Sequence, residues 1–229
     1  MRFDILTLFP EMFEGFTSSS ILARAQSENR IQINFFNIRD FSSDRHRKVD
    51  DVPFGGGAGM LLMCQPLFAA LEYVKNLKKD KAPVIFLTPQ GETFSQDIAR
   101  EFASQTKNKK ISRIILLCGH YEGIDNRVRQ ELVDREISIG DYVLTGGETA
   151  AMVLMDCVSR LIPGVLGSGE SLAEESFSDA LDGKLEYPQY TRPEKFREFK
   201  VPEVLLSGHH AKIKEWKQKN CRKKNSRKI

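Results

Sequence analysis

Three glycine-bearing stretches carry residue types that can hold a small ligand by its edges. They are Thr88-Pro89-Gln90-Gly91, Gly119-His120-Tyr121-Glu122-Gly123-Ile124-Asp125, and Ile139-Gly140-Asp141-Tyr142-Val143-Leu144-Thr145-Gly146-Gly147-Glu148. Glycine lets the backbone approach a ligand closely. Peptide N–H and C=O groups can then read the edge of a heterocycle such as adenine, with apolar walls from Ile139, Tyr142 and Leu144. One such loop alone is more simply a turn. Three of them, each just after a predicted strand, fall where open parallel sheets bind ligands, outside the carboxyl ends of the strands.

Other chemistries lack their residues. The glycines at 55, 56, 57 and 59 are followed by no lysine, so they do not form a phosphate-binding P-loop. No G-x-G-x-x-G follows the first strand and no G-x-S-x-G occurs, which argues against a dinucleotide site and a serine-hydrolase elbow. Cys64, Cys118, Cys157 and Cys221 are far apart, and His46, His120, His209 and His210 make no H-E-x-x-H, so no metal ligand set is assigned. The cysteines read as reduced structural thiols.

The elements that must position these loops follow from periodicity. Arg2 to Leu8 reads as a strand, Pro10 opens a short helix, and Ser18 to Ser20 caps a second helix through Ala25. Further strands are expected at 31–36, 84–87 and 114–118, and helices at 65–78, 95–103, 124–133 and 147–161. A long polar loop spans 39–59. Alternating strands and helices predict an α/β domain with a mainly parallel sheet. The segment PGVLGSGES at 163–171 reads as a linker. The expected organisation is a domain over 1–161, a linker over 162–173, and a small, helical, basic domain over 174–229, with Ser207 capping its last helix.

The chain has 229 residues, 41% hydrophobic and 28% charged, which suits a globular protein with a core. Asp4 interrupts the first apolar run and no small-residue cleavage site follows, so a cytosolic protein away from membranes is expected. The net charge of +3 is unevenly spread. From Lys212 to Ile229 there are nine basic residues and one acidic, leaving the rest at −5. A basic tail on an acidic body suits either a polyanion such as RNA or a solvated end.

Seven motifs carry a resemblance: PFGGGAGM at 53–60, LTPQG at 87–91, CGHYEGID at 118–125, SIGDYVLTGGE at 138–148, RLIPGVLG at 160–167, YTRPEKF at 190–196 and LLSGHH at 205–210. Together, in order and spacing, they resemble the bacterial tRNA (guanine-N1)-methyltransferases of the SPOUT superfamily, over residue 1 to about 216. The resemblance implies a SPOUT-type parallel sheet with a deep trefoil knot, followed by a small helical domain that binds tRNA. It implies methyl transfer from S-adenosylmethionine to N1 of guanosine 37, and a homodimer whose active sites are shared between subunits. It assigns the cofactor to Gly119 and Ile139, Gly140, Asp141, Tyr142, Val143 and Leu144. Pro89, Gly91, Tyr121, Glu122, Gly146 and Gly147 line the pocket. Magnesium dependence is also a family property, but no ligand cluster in the sequence places an ion.

The chemistry explains the remaining residue types. Guanine N1 is a poor nucleophile until it loses its proton, so a carboxylate base is needed. Charge then grows on O6, where an arginine stabilises it. By the resemblance these are Glu175, where the family usually has Asp, and Arg160; Glu174 is the alternative base. Arg45, His46, Arg47 and Lys48 are candidates for phosphate contact, Asp50 for a base edge, and His209 lies in a segment the family places near tRNA. His120 stands where many relatives have Arg and receives no role. A related enzyme of ribosomal RNA would keep the cofactor loops without needing the linker or C-terminal motifs. An inactive RNA binder would need neither the loops nor the base–arginine pair.

Overall fold

The computed structural model describes residues 1–107, 113–166 and 174–223. They fall in two compact units, Met1–Gly167 and Ser168–Ile229. The first unit runs β1 (Arg2–Thr7), α1 (Glu14–Thr17), α2 (Ser20–Ser27), β2 (Gln32–Asn37), β3 (Asp50–Asp51), β4 (Leu61–Leu62), α3 (Cys64–Asn76), β5 (Val84–Thr93), α4 (Gln96–Lys107), β6 (Arg113–Cys118), α5 (Asn126–Leu132), β7 (Arg135–Ser138) and α6 (Glu148–Ser159).

Five strands form one parallel sheet in the order β2-β1-β6-β5-β7. Strand alternation divides the core in two. Phe3, Ile5, Ile85, Leu87, Ile114, Leu116 and Cys118 face one side, where they meet α2, α4 and α6. Leu6, Val84, Phe86, Ile115 and Leu117 face the other and meet α3 and α5. Because both faces are covered, β6 is buried at every position and reads as an unbroken apolar run after Arg113. Each such fully buried Leu or Ile contributes about 1.5–3 kcal/mol of transfer free energy. The first unit's core also takes in Ile162 and Val165, beyond the last helix. The linker residues 167–173 lie outside the described residues.

Asp4, the charge that breaks the first apolar run, is fully buried in β1. Its carboxylate accepts from Arg2 Nε at 2.8 Å and from Asn34 Nδ2 at 2.8 Å, and Arg113 Nε stands 3.4 Å away. Arg113, 1% exposed, donates to the Val74 carbonyl at 2.9 Å. A buried charge pair of this kind ties β1, β2, β6 and the end of α3, and is costly to break from one side.

Two elements differ from expectation. β5 extends to Thr93 rather than ending at Leu87. It leaves the ladder after Leu87 and rejoins at Glu92, and both of those residues pair with Ile137. The strand before the third glycine loop, β7, is the half-polar REIS, whose side chains are only partly buried at its start.

In the second unit, the described residues form a 3-10 turn (Asp179–Leu181), the hairpin β8 (Lys195–Phe196) with β9 (Phe199–Lys200), and helices α7 (Glu203–Leu206) and α8 (His210–Asn220). Helix is therefore confined to 203–220 apart from that one turn. Its cap is His209, not Ser207. Gly208, at φ +68, breaks the helical run, and Ser207 closes α7 instead, its hydroxyl donating to the Val204 carbonyl at 2.7 Å. Glu174 ties the unit together, accepting from Tyr187 Oη at 2.6 Å and Lys217 Nζ at 2.7 Å. Those partners, Lys217 first, hold its carboxyl below the usual glutamate range. The last six residues of the basic tail, 224–229, lie outside the described residues.

Candidate cofactor site

The carboxyl ends of the adjacent strands β6, β5 and β7 open into one cavity of about 350 Å³. That volume lies at the small end of the range for small-molecule sites, roughly 300–1,000 Å³. The first wall is Phe86, Leu87, Thr88, Pro89 and Gln90, where β5 leaves the ladder. The second is Gly119, His120, Tyr121, Glu122 and Gly123. The third runs from Ile137 through Ser138, Ile139 and Gly140, then from Tyr142 to Gly147, and ends on Ala150 of α6.

Of the expected cofactor positions, Pro89, Gly119, Tyr121, Glu122, Ile139, Gly140, Tyr142, Val143, Leu144, Gly146 and Gly147 line the cavity; Gly91 and Asp141 do not. Gly91 packs against β7 instead: a Cβ there would stand 2.4 Å from both Glu136 C and Ile137 N. Asp141 is exposed in the turn beyond Gly140.

Local hydrogen bonds shape the third loop. The Ser138 hydroxyl donates to the Gly140 carbonyl at 3.0 Å, and the Tyr142 hydroxyl donates to the Ile139 carbonyl at 3.1 Å. Gly140 sits at φ +153, and a Cβ there would meet the Tyr142 ring at 2.4 Å. The loop then joins the second wall, where the Gly147 N–H donates to the Gly119 carbonyl at 2.8 Å and His120 bridges Gly146. Glu148, 1% exposed, follows and accepts from Thr7 Oγ1 at 2.7 Å, anchoring the start of α6 to β1. Burial, and then the Glu148 carboxylate, push the Cys118 thiol well up, so it stays protonated.

The glycine-rich segment at 55–59 adjoins the second wall. The Glu122 N–H donates to the Met60 carbonyl at 3.0 Å and the Leu62 N–H to the Gly123 carbonyl at 3.0 Å. Gly59 admits the Glu122 side chain, whose Cγ lies 2.4 Å from where a Cβ would stand. Below this, Asp125 caps α5, accepting from the Arg127 N–H at 2.9 Å and from its guanidinium. That guanidinium is the main cause of a carboxyl held far below its ordinary range.

The remaining candidates lie elsewhere. Arg160 caps the C-terminal end of α6, whose first residues line the cavity. Twelve helical residues at about 1.5 Å each separate the two ends by about 18 Å. Glu174 and Glu175 belong to the second unit. Arg45 is exposed and has no ion pair among the described residues, whereas Arg47 meets Asp40 at 3.2 Å and Lys48 meets Asp51 at 3.2 Å. Asp50 pairs with Leu62 in the β3–β4 ladder, and His209 caps α8. The sequence reading assigned nothing to Phe86, Ala150 or the Thr7–Glu148 contact. Phe86 and Ala150 look like ordinary core residues, and Thr7 and Glu148 are 141 positions apart with no shared local pattern.

An open sheet with one glycine-lined cavity across three strand ends defines a ligand-binding α/β protein. Residues 1–228 match the family described as tRNA (Guanine-1)-methyltransferase TrmD. The tRNA (guanine-N(1)-)-methyltransferase of Ruminiclostridium cellulolyticum is 54% identical over 217 residues, covering 95% of this chain and 89% of the relative. That of Chloroflexus aggregans is 58% identical over 218 residues, covering 95% and 82%. The crystal structure of tRNA (m1G37) methyltransferase from Aquifex aeolicus is similar with a TM-score of 0.76 at 38% identity, covering 95% of this chain and 88% of that one. The chain belongs to the tRNA (guanine-1)-methyltransferase family.

Proposed function

We propose that this protein transfers a methyl group from S-adenosylmethionine to N1 of guanosine 37 in tRNA. The observation that carries the reading is the three-walled cavity, together with the family to which the chain belongs. The cavity fits the cofactor in kind. Glycine at 140, 146 and 147 lets the third loop close tightly on Tyr142, on His120 and Glu148, and on Cys118 and Gly119, which shapes the cavity, and His120 Nδ1 is a buried polar atom with no hydrogen-bond partner among the described residues. Phe86, Leu87, Ile137, Ile139 and Leu144 offer apolar surface for a base, and the peptide groups of 139–144 can read its edge. When bound, the cofactor supplies an activated sulfonium methyl, so the protein's task is mainly position.

Proton removal from guanine N1 falls to Glu175. Glu174, the alternative, accepts from Lys217 and Tyr187. Arg160 stabilises charge on O6. Its place about 15 Å along α6 from Ala150, which lines the cavity, favours an active site shared between two copies, in which one subunit's Arg160 serves the partner's cofactor. The same reading includes a trefoil knot, formed as the chain leaves β7 and returns through Gly146 and Gly147 to put α6 beside β1. It also makes the segment after the linker a tRNA-binding domain.

Arg45, Asp50 and His209 are assigned to tRNA, with the target base turned out of a loop that is already single-stranded. No three His, Cys, Asp or Glu side chains converge among the described residues. The residues present thus do not fit an all-protein magnesium cage. No helix among the described residues is long and apolar enough to cross a membrane. Mass spectrometry of tRNA incubated with the protein and isotope-labelled S-adenosylmethionine tests the function. Label on N1 of guanosine 37 is expected; label elsewhere, or none, overturns it.

A further inference from the structure

The β8–β9 hairpin holds an aromatic pair in the open. Lys195 pairs with Lys200 and Phe196 with Phe199, across the two-residue turn Arg197-Glu198. Side chains directly opposite one another in an antiparallel pair share a face, so the two rings stand side by side. Phe196 is 60% exposed and Phe199 73%, and neither belongs to the two buried apolar clusters. Every residue from 188 to 200 is exposed. Leaving two such rings in water forgoes the transfer free energy that draws apolar side chains inward.

The rings are set among cations. From Arg192 to Lys200 there are four basic residues and two acidic. Lys195, Arg197 and Lys200 make no ion pair among the described residues. The Arg197 guanidinium lies over the Phe196 ring, 5.3 Å from its centroid. Its backbone sits at φ +54, a left-handed conformation that an arginine adopts only at a cost. A cross-strand aromatic pair by itself steadies a short hairpin. That role asks for neither exposed ring faces nor unpaired cations. Flat apolar faces interleaved with free cations match unpaired nucleotides, whose bases stack on rings while their phosphates meet the charges. A second copy of the chain fits less well, because the two rings expose on the order of 300 Å² and a stable complex needs about 800 Å² per partner.

We propose that this hairpin is a stacking platform for an unpaired base of the tRNA, with Phe196 and Phe199 as its binding residues and Arg197 as the cation beside them. The assignment rests on the tRNA reading above and deepens it. Every base has a π face, so the platform supplies affinity without sequence preference. It also divides the work between the units. The cofactor cavity is lined by residues of the first and the hairpin belongs to the second, so losing the rings leaves cofactor binding as it was.

Fluorescence anisotropy of labelled tRNA with the full chain tests it. Phe196→Ala and Phe199→Ala should each weaken tRNA about tenfold, and Phe196→Tyr and Phe199→Tyr, which keep a flat face, by less than about twofold. Phe196→Ile and Phe199→Ile separate stacking from bracing, since isoleucine suits a strand and offers no ring. They should weaken tRNA as the alanines do. In all six variants calorimetry should find S-adenosylhomocysteine affinity within about twofold of the parent. Isoleucine variants that bind tRNA like the parent overturn the assignment, since the rings would then only steady the hairpin. A smaller species in sedimentation of the alanine variants also overturns it, by showing that the rings seat a second copy. Ultraviolet cross-linking of the parent protein to tRNA needs no variant to fold. A nucleotide on residues 195–200 is expected, and cross-links confined to other segments overturn the platform. If the parent binds no tRNA, the tRNA reading falls and takes this assignment with it; if the parent binds and every variant matches it, the assignment alone falls.

Discussion

A single methyl added at Gly147 should separate the end of β6 from the start of α6. The backbone there, at φ −79 and ψ −8, is open to any residue, so the effect of Gly147→Ala is steric rather than conformational. The new Cβ would stand 2.8 Å from Cys118 Cα, 3.0 Å from Gly119 N and 3.2 Å from Cys118 Cβ. Carbon atoms rest about 3.5–4.0 Å apart, so the segments must part by roughly 0.5–1 Å. Cys118 is fully buried and its backbone cannot rotate away. Overpacking of this kind costs about 1–3 kcal/mol. At about 2–4 °C per kcal/mol for a chain of this size, Tm should fall by about 2–12 °C. The same displacement stretches the 2.8 Å bond from the Gly147 N–H to the Gly119 carbonyl, the seam between two cavity walls. A loss of about 1.4 kcal/mol there weakens S-adenosylhomocysteine tenfold. Gly55→Ala is the control, because Gly55 has φ +89 with nothing within 4 Å, so only backbone strain of about 1–2 kcal/mol applies. Thermal melts and calorimetry on both variants decide the matter. A Gly147→Ala protein that melts and binds like the parent would refute the close-approach argument.

Four further outcomes are expected. Glu175→Gln should lose most turnover while Glu174→Gln keeps most of it; single-turnover assays that swap the two would move the base to Glu174. Arg160→Ala should lose turnover and keep S-adenosylhomocysteine affinity in calorimetry, and a loss confined to binding would remove its catalytic role. Because the Glu174 carboxyl is depressed by Lys217 and Tyr187, its stabilisation is full above the unfolded value of about 4.3 and lost as pH falls through the lower folded value. Fluorescence of Trp216, the chain's one tryptophan, should therefore report loosening below about pH 4, and a flat signal to pH 3 would contradict it. Removing residues 224–229, with three basic side chains, should weaken tRNA binding and flatten its salt dependence, and an unchanged slope would mark the end as merely solvated.

The glycine loops were legible because glycine at strand ends has few uses, and before the first two of them apolar strands announce where those ends fall. The same rule failed at Gly91. A glycine that admits a ligand and one that admits a neighbouring strand look alike in sequence, and here the neighbour is Glu136 and Ile137. REIS gave no strand signal because its start is only half-buried and carries two charges that pair with β5 and α5 side chains. Asp4 was legible only as an interruption. Its partners Asn34 and Arg113 lie 30 and more residues away, so the buried network it anchors has no local trace. Ser207 illustrates a subtler limit: it does accept a backbone N–H, but from His209 across the break at Gly208, so it serves the end of one helix rather than the start of the next.

The bight in β5 has a consequence for protein engineering. Leu87 and Glu92 both pair with Ile137, so the intervening residues leave and return at a single point on the neighbouring strand. One residue more or fewer would turn Glu92 and Thr93 to the opposite face of the sheet. Libraries aimed at altered ligand preference can diversify Thr88, Pro89 and Gln90 freely in identity while holding their number constant. Length variation belongs instead around Gly55, Gly56 and Gly57, where no neighbouring atom lies within 4 Å of an added Cβ, with glycine kept at these positive-φ positions.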